Sequence, residues 1–233
     1  MGEKALIWIR LVARGRAGHG SRLHDDNAVT KLAEAVAALG RTRWPLRLTP
    51  TTEALLQGLS ALTGRSIDDP DALAAAAGPA EAFLRSSFRT TTNPTALTAG
   101  YKHNVIPERA EALIDVRVIP GTEDEVLAEL QQIVGDDIEI QTVVRDIGME
   151  TPFEGELVEA MVASLGRHDP GVPVIPYLLG AGTDNKALAY LGITGYGFAP
   201  LRLPADLDFT GMFHGVDELS LIHISEPTRQ AEI

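Results

Sequence analysis

The sequence has 233 residues, of which 45% are hydrophobic and 22% are charged, and this composition is typical of a folded, soluble protein rather than a disordered segment. The formal net charge of -12 argues against a surface built to bind nucleic acid or anionic lipid. Cysteine is absent, so disulfides and thiolate metal sites are excluded. We therefore expect a small-molecule ligand and, by default, a cytoplasmic location.

The N-terminal residues carry no visible targeting signal. The apolar run between Lys4 and Arg10 is too short for a signal peptide and far below the roughly 20 residues of a membrane span. Arginine outnumbers lysine, and alanine, glycine and proline are frequent, a bias that GC-rich coding produces. We expect a bacterial protein with no membrane contact.

The first part of the chain predicts a strand, a helix and a helical block. Residues 5–15 favour a strand that ends in glycine, and residues 25–40 an amphipathic helix capped by Asp25 or Asp26. The block at about 51–87 is helical and interrupts the pattern as an insertion. The apolar stripe of the first helix consists of Val29, Leu32, Val36 and Leu39.

Two strands, a helix and a strand follow the block. Residues 95–107 and 109–120 favour strands, residues 121–135 a helix and residues 137–144 a strand. The second strand alternates, with Asp115 and Arg117 on its polar face. Its apolar face consists of Ala112, Ile114, Val116 and Val118.

The predicted fold class is α/β, in two patterns. Without the block, the order is βαββαβ, which is typical of a ferredoxin-like layer that ends near Asp146. A helix, a buried strand at 172–179, a helix and a strand at 193–201 then alternate as in a parallel sheet. Four elements cannot cover both faces of such a sheet, so we expect the rest of that domain upstream of Met1.

Four motifs, RGRAGHGS, NVIPERAEALIDVRVIPG, GAGTDNKALAYLGI and FHGVDE, occur in this order. Together they resemble the second half of the dimetal amidohydrolase family that includes aminoacylase, carboxypeptidase G and succinyl-diaminopimelate desuccinylase. The resemblance implies a ferredoxin-like lid and dimerisation domain over residues 3–146. It also implies the C-terminal part of a zinc-peptidase-like α/β catalytic domain over residues 147–218.

The resemblance further implies a metal-dependent hydrolase that cleaves an amide or peptide bond next to a substrate carboxylate, as in an N-acyl amino acid or a dipeptide. The intact family member is a homodimer with two divalent ions, zinc by preference and cobalt or manganese as alternatives. Most metal ligands and the glutamate that deprotonates the metal-bound water lie outside this sequence. The chain alone is therefore expected to be inactive.

Two histidines match family positions. His214 resembles the C-terminal metal ligand, and His19 resembles the lid histidine that donates a hydrogen bond to the oxyanion in the partner's active site. The alternatives are a surface-loop histidine for His214 and a strand-end turn for His19. His24 beside two aspartates is not expected to bind metal, because a helix N-terminus explains the acids better.

Four further residues resemble the substrate-binding set. Asn104 and Arg117 match the pair that grips the substrate carboxylate, and their short separation permits adjacent strands that bring the side chains together. Gly182 and Thr183 match the loop that lines the substrate. A polar sheet face and an ordinary strand-to-helix turn are the alternatives, and Asp184 reads as an N-cap rather than a base.

The last residues depart from the family pattern. Residues 219–233 resemble the translation of a sequencing adapter, so His223 is discounted. A competing hypothesis for the whole chain is a non-catalytic ferredoxin-like module for dimerisation or ligand binding. An upstream H-x-D motif with a glutamate pair would favour the enzyme, and upstream frameshifts would indicate a degraded gene.

Overall fold

A computed structural model describes residues 1–204 and 206–214 of the protein, and the segment at 219–233 lies outside them. The chain is a mixed α/β protein, as the sequence predicts. The strands are β1 (Gly2–Glu3), β2 (Ala5–Arg14), β3 (Gly18–His19), β4 (Thr91–Ala99), β5 (Val105–Ile106), β6 (Arg109–Val118), β7 (Ile138–Arg145), β8 (Met149–Glu150) and β9 (Leu178–Leu179). The helices are α1 (Ala28–Arg41), α2 (Pro50–Thr63), α3 (Pro70–Ala75), α4 (Glu81–Ser87), α5 (Glu123–Val134), α6 (Glu156–His168) and α7 (Asn185–Tyr190).

The main sheet has four antiparallel strands in the order β4-β6-β2-β7. Burial alternates along β6 and along most of β2, which gives each central strand one buried face, and helices α1 and α5 pack on that face. Ile9 lies opposite Ile114 in the middle of the sheet, and both are buried. The predicted apolar face of β6 is confirmed, since all four of its residues are buried: Ala112, Ile114, Val116 and Val118.

Helix α1 forms where the sequence predicts it, but its cap and its buried face differ. The N-cap is Asn27, whose side-chain oxygen accepts a hydrogen bond from the backbone N–H of Val29 at 2.9 Å. Asp26 instead pairs with Lys31 at 2.6 Å. The prediction of an aspartate cap is therefore wrong. Val29 is 39% exposed, because the buried stripe of α1 is rotated toward the alanines of the helix. The stripe that meets the sheet consists of Ala28, Leu32, Ala35 and Leu39.

The helical block between α1 and β4 contains three α-helices and a short 3-10 helix (Gly78–Ala80), with a core of their own. Thr49 caps α2 through a reciprocal capping box with Thr52. Ile175, from the C-terminal part of the chain, packs against this core, and a Cβ at Gly58 would lie only 2.7 Å from its side chain. The block therefore contacts the C-terminal part as well as the sheet.

The C-terminal part is built on a sheet of three very short strands. β1 pairs antiparallel with β8 and parallel with β9, and each strand has two residues. The buried strand predicted at 172–179 is reduced to β9, and no strand forms at 193–201 in the described part of the chain. A strand needs a neighbour for its backbone hydrogen bonds, and the described residues supply none there.

Two chain crossings join this small sheet to the main sheet. Lys4 links β1 to β2, and residues 146–148 link β7 to β8. The crossings touch, because a Cβ at Gly148 would lie 3.1 Å from the backbone nitrogen of Ala5 and 2.8 Å from the Cα of Pro120. Within the described ranges, no helix combines the length and apolarity that a membrane span requires.

Candidate functional site

The site residues predicted from the sequence fall into two separate groups. His19 pairs with Val105 in a small two-stranded sheet, and the backbone N–H of Gly20 donates to the carbonyl of Asn104 at 2.9 Å. Arg117 lies elsewhere, and its Nη1 donates to the carbonyl of Gly180 at 3.0 Å. The first group therefore contains His19 and Asn104, and the second contains Arg117 and the loop at 180–183.

The main sheet separates the two groups. Ala110, at the start of β6, lies opposite Ala99, whereas Arg117, at its other end, lies opposite Thr91. Residues 110 to 117 span about 23 Å at roughly 3.3 Å per residue. Asn104 follows β4 beyond Ala99, at the end of the sheet remote from Arg117. The structure therefore does not bring Asn104 and Arg117 together within one chain. Asn104 lies in the connection that leads into the start of β6, whereas Arg117 lies near the end of that strand.

His19 is exposed, and its ring is oriented by its own loop. Nδ1 lies 2.8 Å from the Ser21 hydroxyl and accepts from the backbone N–H of Ser21 at 3.2 Å. An Nδ1 that accepts a backbone hydrogen bond carries no proton, so in the neutral ring the proton is on Nε2. An external partner would therefore meet an N–H donor.

His24 lies beneath the strand that carries His19. A Cβ at Gly18 would lie 2.9 Å from the Nε2 atom of His24, so the glycine permits this close packing. Nδ1 of His24 is buried and has no hydrogen-bond partner within residues 1–204 and 206–214. The imidazole thus packs against the two-stranded sheet of β3 and β5.

Arg117 is held by an aspartate on its own strand. Nε and Nη2 donate to the two carboxylate oxygens of Asp115 at 2.6 and 2.8 Å, and Nη1 donates to Gly180. Asp115 and Arg117 share the face of β6 opposite the helices, as the sequence predicts. Three of the five guanidinium N–H groups are engaged in this way.

Thr183 is bound by Glu3, a residue that the sequence did not single out. The backbone N–H of Thr183 donates to Oε2 of Glu3 at 2.9 Å, and its hydroxyl donates to Oε1. Nδ2 of Asn185 adds a longer bond of 3.4 Å to Oε1. Asp184 occupies the N-cap position of α7 but makes no capping hydrogen bond through its side chain.

Two buried lysines lie beside this network. Nζ of Lys4 donates to the carbonyl of Arg89 at 2.5 Å, and Nζ of Lys186 donates to the carbonyl of Lys4 at 2.7 Å. Burial, and secondarily the nearby Arg117 guanidinium, lowers the pKa of Lys4 to about 7. Burial also lowers the pKa of Lys186. Only their position at the start of β2 and α7 could have indicated them, since a lone lysine usually lies on the surface.

His214 lies at the end of the described residues with a left-handed backbone at φ 57°. The side chains described at 1–204 and 206–214 contain no group of three His, Cys, Asp or Glu that could hold a metal ion. A catalytic zinc needs about three protein ligands. The described residues therefore do not form a metal site by themselves.

A cavity of about 180 Å³ opens beside Glu3 and Thr183. Its walls are mainly apolar and come from the C-terminal part, including Met161, Leu165 and Phe198. The arrangement as a whole combines an exposed N–H donor at one end of the sheet with a guanidinium and a fixed loop at the other. Such a set can hold an anionic group and stabilise negative charge, but not within one copy of the chain.

Comparison with curated proteins gives relatives over most of this chain. Aminoacylase-1 of Pongo abelii is 25% identical over 205 residues, which cover 86% of this chain and 43% of the relative. A probable carboxypeptidase S-like protein of Dictyostelium discoideum is 26% identical, covering 93% of this chain and 43% of the relative. An N-fatty-acyl-amino acid synthase/hydrolase of Bos taurus is 30% identical, with 93% and 45% covered. The chain thus spans less than half the length of these relatives.

Solved structures share the fold. An M20 family metallo-carboxypeptidase of Sulfolobus solfataricus superposes with a TM-score of 0.53 at 19% identity, covering 81% of this chain and 55% of that one. A tripeptidase of Staphylococcus aureus gives 0.52 at 13% identity, with 82% and 42% covered.

A family description matches the greater part of the chain. Residues 1–140 match the peptidase dimerisation domain of the M20 family, a range that contains β2, β4, β6 and the start of β7 of the main sheet, both of its helices and the helical block. The motifs that resemble dimetal amidohydrolases, the shared fold and this match agree, and the chain belongs to the M20 peptidase family.

Proposed function

We propose that the chain is the lid and the C-terminal catalytic part of a metal-dependent hydrolase that cleaves an amide or peptide bond next to a substrate carboxylate. The observation that carries the proposal is that the two residue groups lie at opposite ends of β6, whose residues 110 to 117 span about 23 Å. A second copy of the chain can bring the His19 group of one protomer to the Arg117 group of the other.

The proposed boundaries follow the sequence prediction. Residues 3–146 form a ferredoxin-like lid with the insertion at about 51–87, and residues 147–218 belong to the catalytic domain. The element order β2-α1-β4-β6-α5-β7 supports the lid assignment. The match to a peptidase dimerisation domain supports a homodimer formed through it. A cytoplasmic location is part of the proposal, with a small molecule rather than a nucleic acid or membrane as the ligand.

His19 is the proposed catalytic residue of the partner's lid. Its Nε2 proton, fixed by the Nδ1 contacts, is suited to donate a hydrogen bond to the oxyanion that forms at the scissile carbonyl. An anionic tetrahedral centre would be stabilised by this donor more than the neutral amide that precedes it. Asn104 lies beside His19 and, across the dimer, is proposed to grip the substrate carboxylate together with Arg117 as its neutral amide donor.

Arg117 and the loop at 180–183 are proposed to bind the substrate carboxylate. The two guanidinium N–H groups not taken by Asp115 and Gly180 are directed donors for an anion. Gly182 lacks a Cβ, which lets the backbone approach the ligand closely. Thr183 fixes the end of the loop.

Zinc, or cobalt or manganese in its place, is proposed for the intact enzyme, with His214 as the ligand from this chain. Because residues 1–204 and 206–214 form no three-ligand group, the proposal places the other ligands outside these described residues. We expect calorimetry of the 233-residue chain to show no tight, stoichiometric zinc binding. Tight binding that His214→Ala abolishes would place the whole site within this chain.

The competing function, a non-catalytic dimerisation module, is favoured by the complete core of the main sheet. Variants of a full-length enzyme that carries this chain distinguish the catalytic function from the non-catalytic module. His19→Ala should lower kcat by roughly 100- to 1000-fold, the usual loss for one oxyanion donor, with KM little changed. His103→Ala, in the neighbouring exposed turn, is the control and should change neither.

If His19 acts across the dimer, mixing His19→Ala with His214→Ala should restore activity. Half of the dimers are then mixed and each contains one intact site, so about a quarter of the wild-type activity should return. No recovery after verified subunit exchange would contradict action in trans. An unchanged kcat in His19→Ala would contradict the oxyanion role and favour the non-catalytic module.

A further inference from the structure

The loop at 180–183 is held at both of its ends by side chains from distant parts of the sequence. Arg117 binds the carbonyl of Gly180 at its first residue, and Glu3 binds the amide and hydroxyl of Thr183 at its last. Glu3 and Thr183 are 180 residues apart. A loop joined at two points to the sheets on either side of it cannot move independently of them.

Glu3 is buried to an extent that is unusual for a carboxylate. It is 5% exposed, between β8 and β9 in the small sheet. Its three hydrogen-bond donors are neutral: the amide and hydroxyl of Thr183 and the side-chain amide of Asn185. Burying a charged group is costly unless hydrogen bonds compensate for it, so these three donors are what keep the carboxylate in place.

We propose that Glu3 is a positioning residue that sets the conformation of the substrate loop by engaging both donors of Thr183. The inference rests on the proposed function, because it assigns a purpose to a loop that the proposal places against the substrate. Its consequence is that the hydroxyl and amide of Thr183 are used in hydrogen bonds to Glu3. The substrate then meets the backbone of residues 180–182, two of which are glycines, rather than the threonine side chain.

Lys186 strengthens this geometry from below the loop. A Cβ at Gly182 would contact Cε of Lys186 at 3.5 Å, and the ammonium group of this lysine donates to the carbonyl of Lys4, the residue after Glu3. The dipeptide at 3–4 therefore contacts the loop through Glu3 and the helix that follows the loop through Lys4. One short segment fixes both.

Amide exchange and NMR on the 233-residue chain test the positioning directly. Glu3→Gln keeps the shape of the side chain but replaces a charge-assisted acceptor with a neutral one. We expect exchange at the Thr183 amide to rise about tenfold and its proton resonance to move upfield. Glu150→Gln is the matched control, since Glu150 lies in the same small sheet but accepts from the amide of Thr51 at 3.1 Å. It should leave Thr183 unchanged.

The NMR signal of Thr183 decides the outcome, and the global stability of the variant does not. An unchanged Thr183 resonance in folded Glu3→Gln would overturn the proposal. If that variant does not fold, Thr183→Val removes one donor from the other side and should release the Asn185 side-chain amide, whereas Thr183→Ser should not. An Asn185 signal that is the same in all three chains would equally overturn it.

Kinetics in a full-length enzyme separate positioning from a merely structural role. Glu3→Gln and Thr183→Val should each raise KM about tenfold with kcat within a few-fold, and the double variant should cost no more than either alone. An unchanged KM would overturn the role in substrate binding. A wild-type enzyme that hydrolyses no N-acyl amino acid or dipeptide would contradict the proposed function instead, and the Thr183 signals would then decide the role of Glu3.

Discussion

The main sheet and the C-terminal part of this chain differ in how completely they bury their apolar residues. The four strands of the main sheet have 8 to 10 residues each, and the inner faces of β2 and β6, with the start of β7, meet α1 and α5 in one continuous core. The C-terminal part has strands of two residues. It leaves many large apolar side chains exposed, among them Leu157, Tyr190, Leu191, Ile193, Phe198, Leu201 and Phe213.

The difference shows that the two parts have different requirements for folding. The main sheet contains both of the layers that a stable unit needs, a sheet and the helices that cover it. The C-terminal part has apolar residues in excess of the surface that the described residues can bury. Large exposed apolar surfaces normally pack against another protein segment.

A pair of core substitutions should give the largest difference between the two parts. Ile9 is fully buried in the main sheet, and Ile9→Ala should lower the free energy of unfolding by about 2–5 kcal/mol, because it leaves a cavity in a close-packed core. Val162 in α6 is 37% exposed, and Val162→Ala should cost less than about 1 kcal/mol. Urea unfolding of both variants measures this. Equal losses would show that the C-terminal part is as tightly packed as the sheet.

The junction between the two parts should make stability depend on pH. The pKa of Lys4 is about 7 in the folded chain and has its ordinary value of 10.5 when unfolded, so the unfolded chain binds more protons between these pH values. The free energy of unfolding should therefore rise from pH 7 to pH 10.5, by at most about 1.4 kcal/mol per pH unit from this residue. Below pH 7 the full cost of the buried ammonium is present.

Lys4→Met should flatten that dependence. Arg117 opposes the Lys4 charge, and Lys186, whose own pKa is lowered, contributes a slope of the same sign that the variant retains. Urea unfolding at pH 7, 8.5 and 10 gives the two curves. Parallel curves for the variant and the wild type would show that the Lys4 ammonium is solvated in the folded chain.

The smallest predicted contrast concerns two helix caps. Asn27→Ala removes a side-chain acceptor from the first turn of α1 and should cost about 1 kcal/mol. Asp184 occupies the corresponding position of α7 without a capping bond, so Asp184→Ala should change stability by less than about 0.5 kcal/mol. Thermal unfolding compares them. A larger loss of stability for Asp184→Ala than for Asn27→Ala would contradict the expectation that the cap of α1 contributes more than that of α7.

The sequence predicted the main sheet well, because alternation in β6 and helical spacing in α5 are local signals. It predicted the cap and the buried face of α1 poorly, since three neighbouring residues from 25 to 27 can all cap a helix. The strand expected at 193–201 did not form, because a strand depends on a neighbour that no local pattern supplies.

The candidate site was predictable only in part. Motifs suggest its residues, but the placement of Asn104 and Arg117 at opposite ends of β6 depends on the register of β4, which single-residue patterns do not determine. Glu3 and Lys4 escaped notice, because their contacts are with residues about 85 to 180 positions away. Charged residues at the start of a strand are ordinarily solvent-exposed.

The two adjacent crossings at Lys4 and Gly148 have a mechanical consequence. A single covalent link would let the two sheets rotate relative to each other about any axis. Two links in contact restrict such rotation. A side chain at position 148 would push against Ala5 and Pro120, so Gly148→Val would force the links apart. The glycine thus sets how closely the two links approach each other.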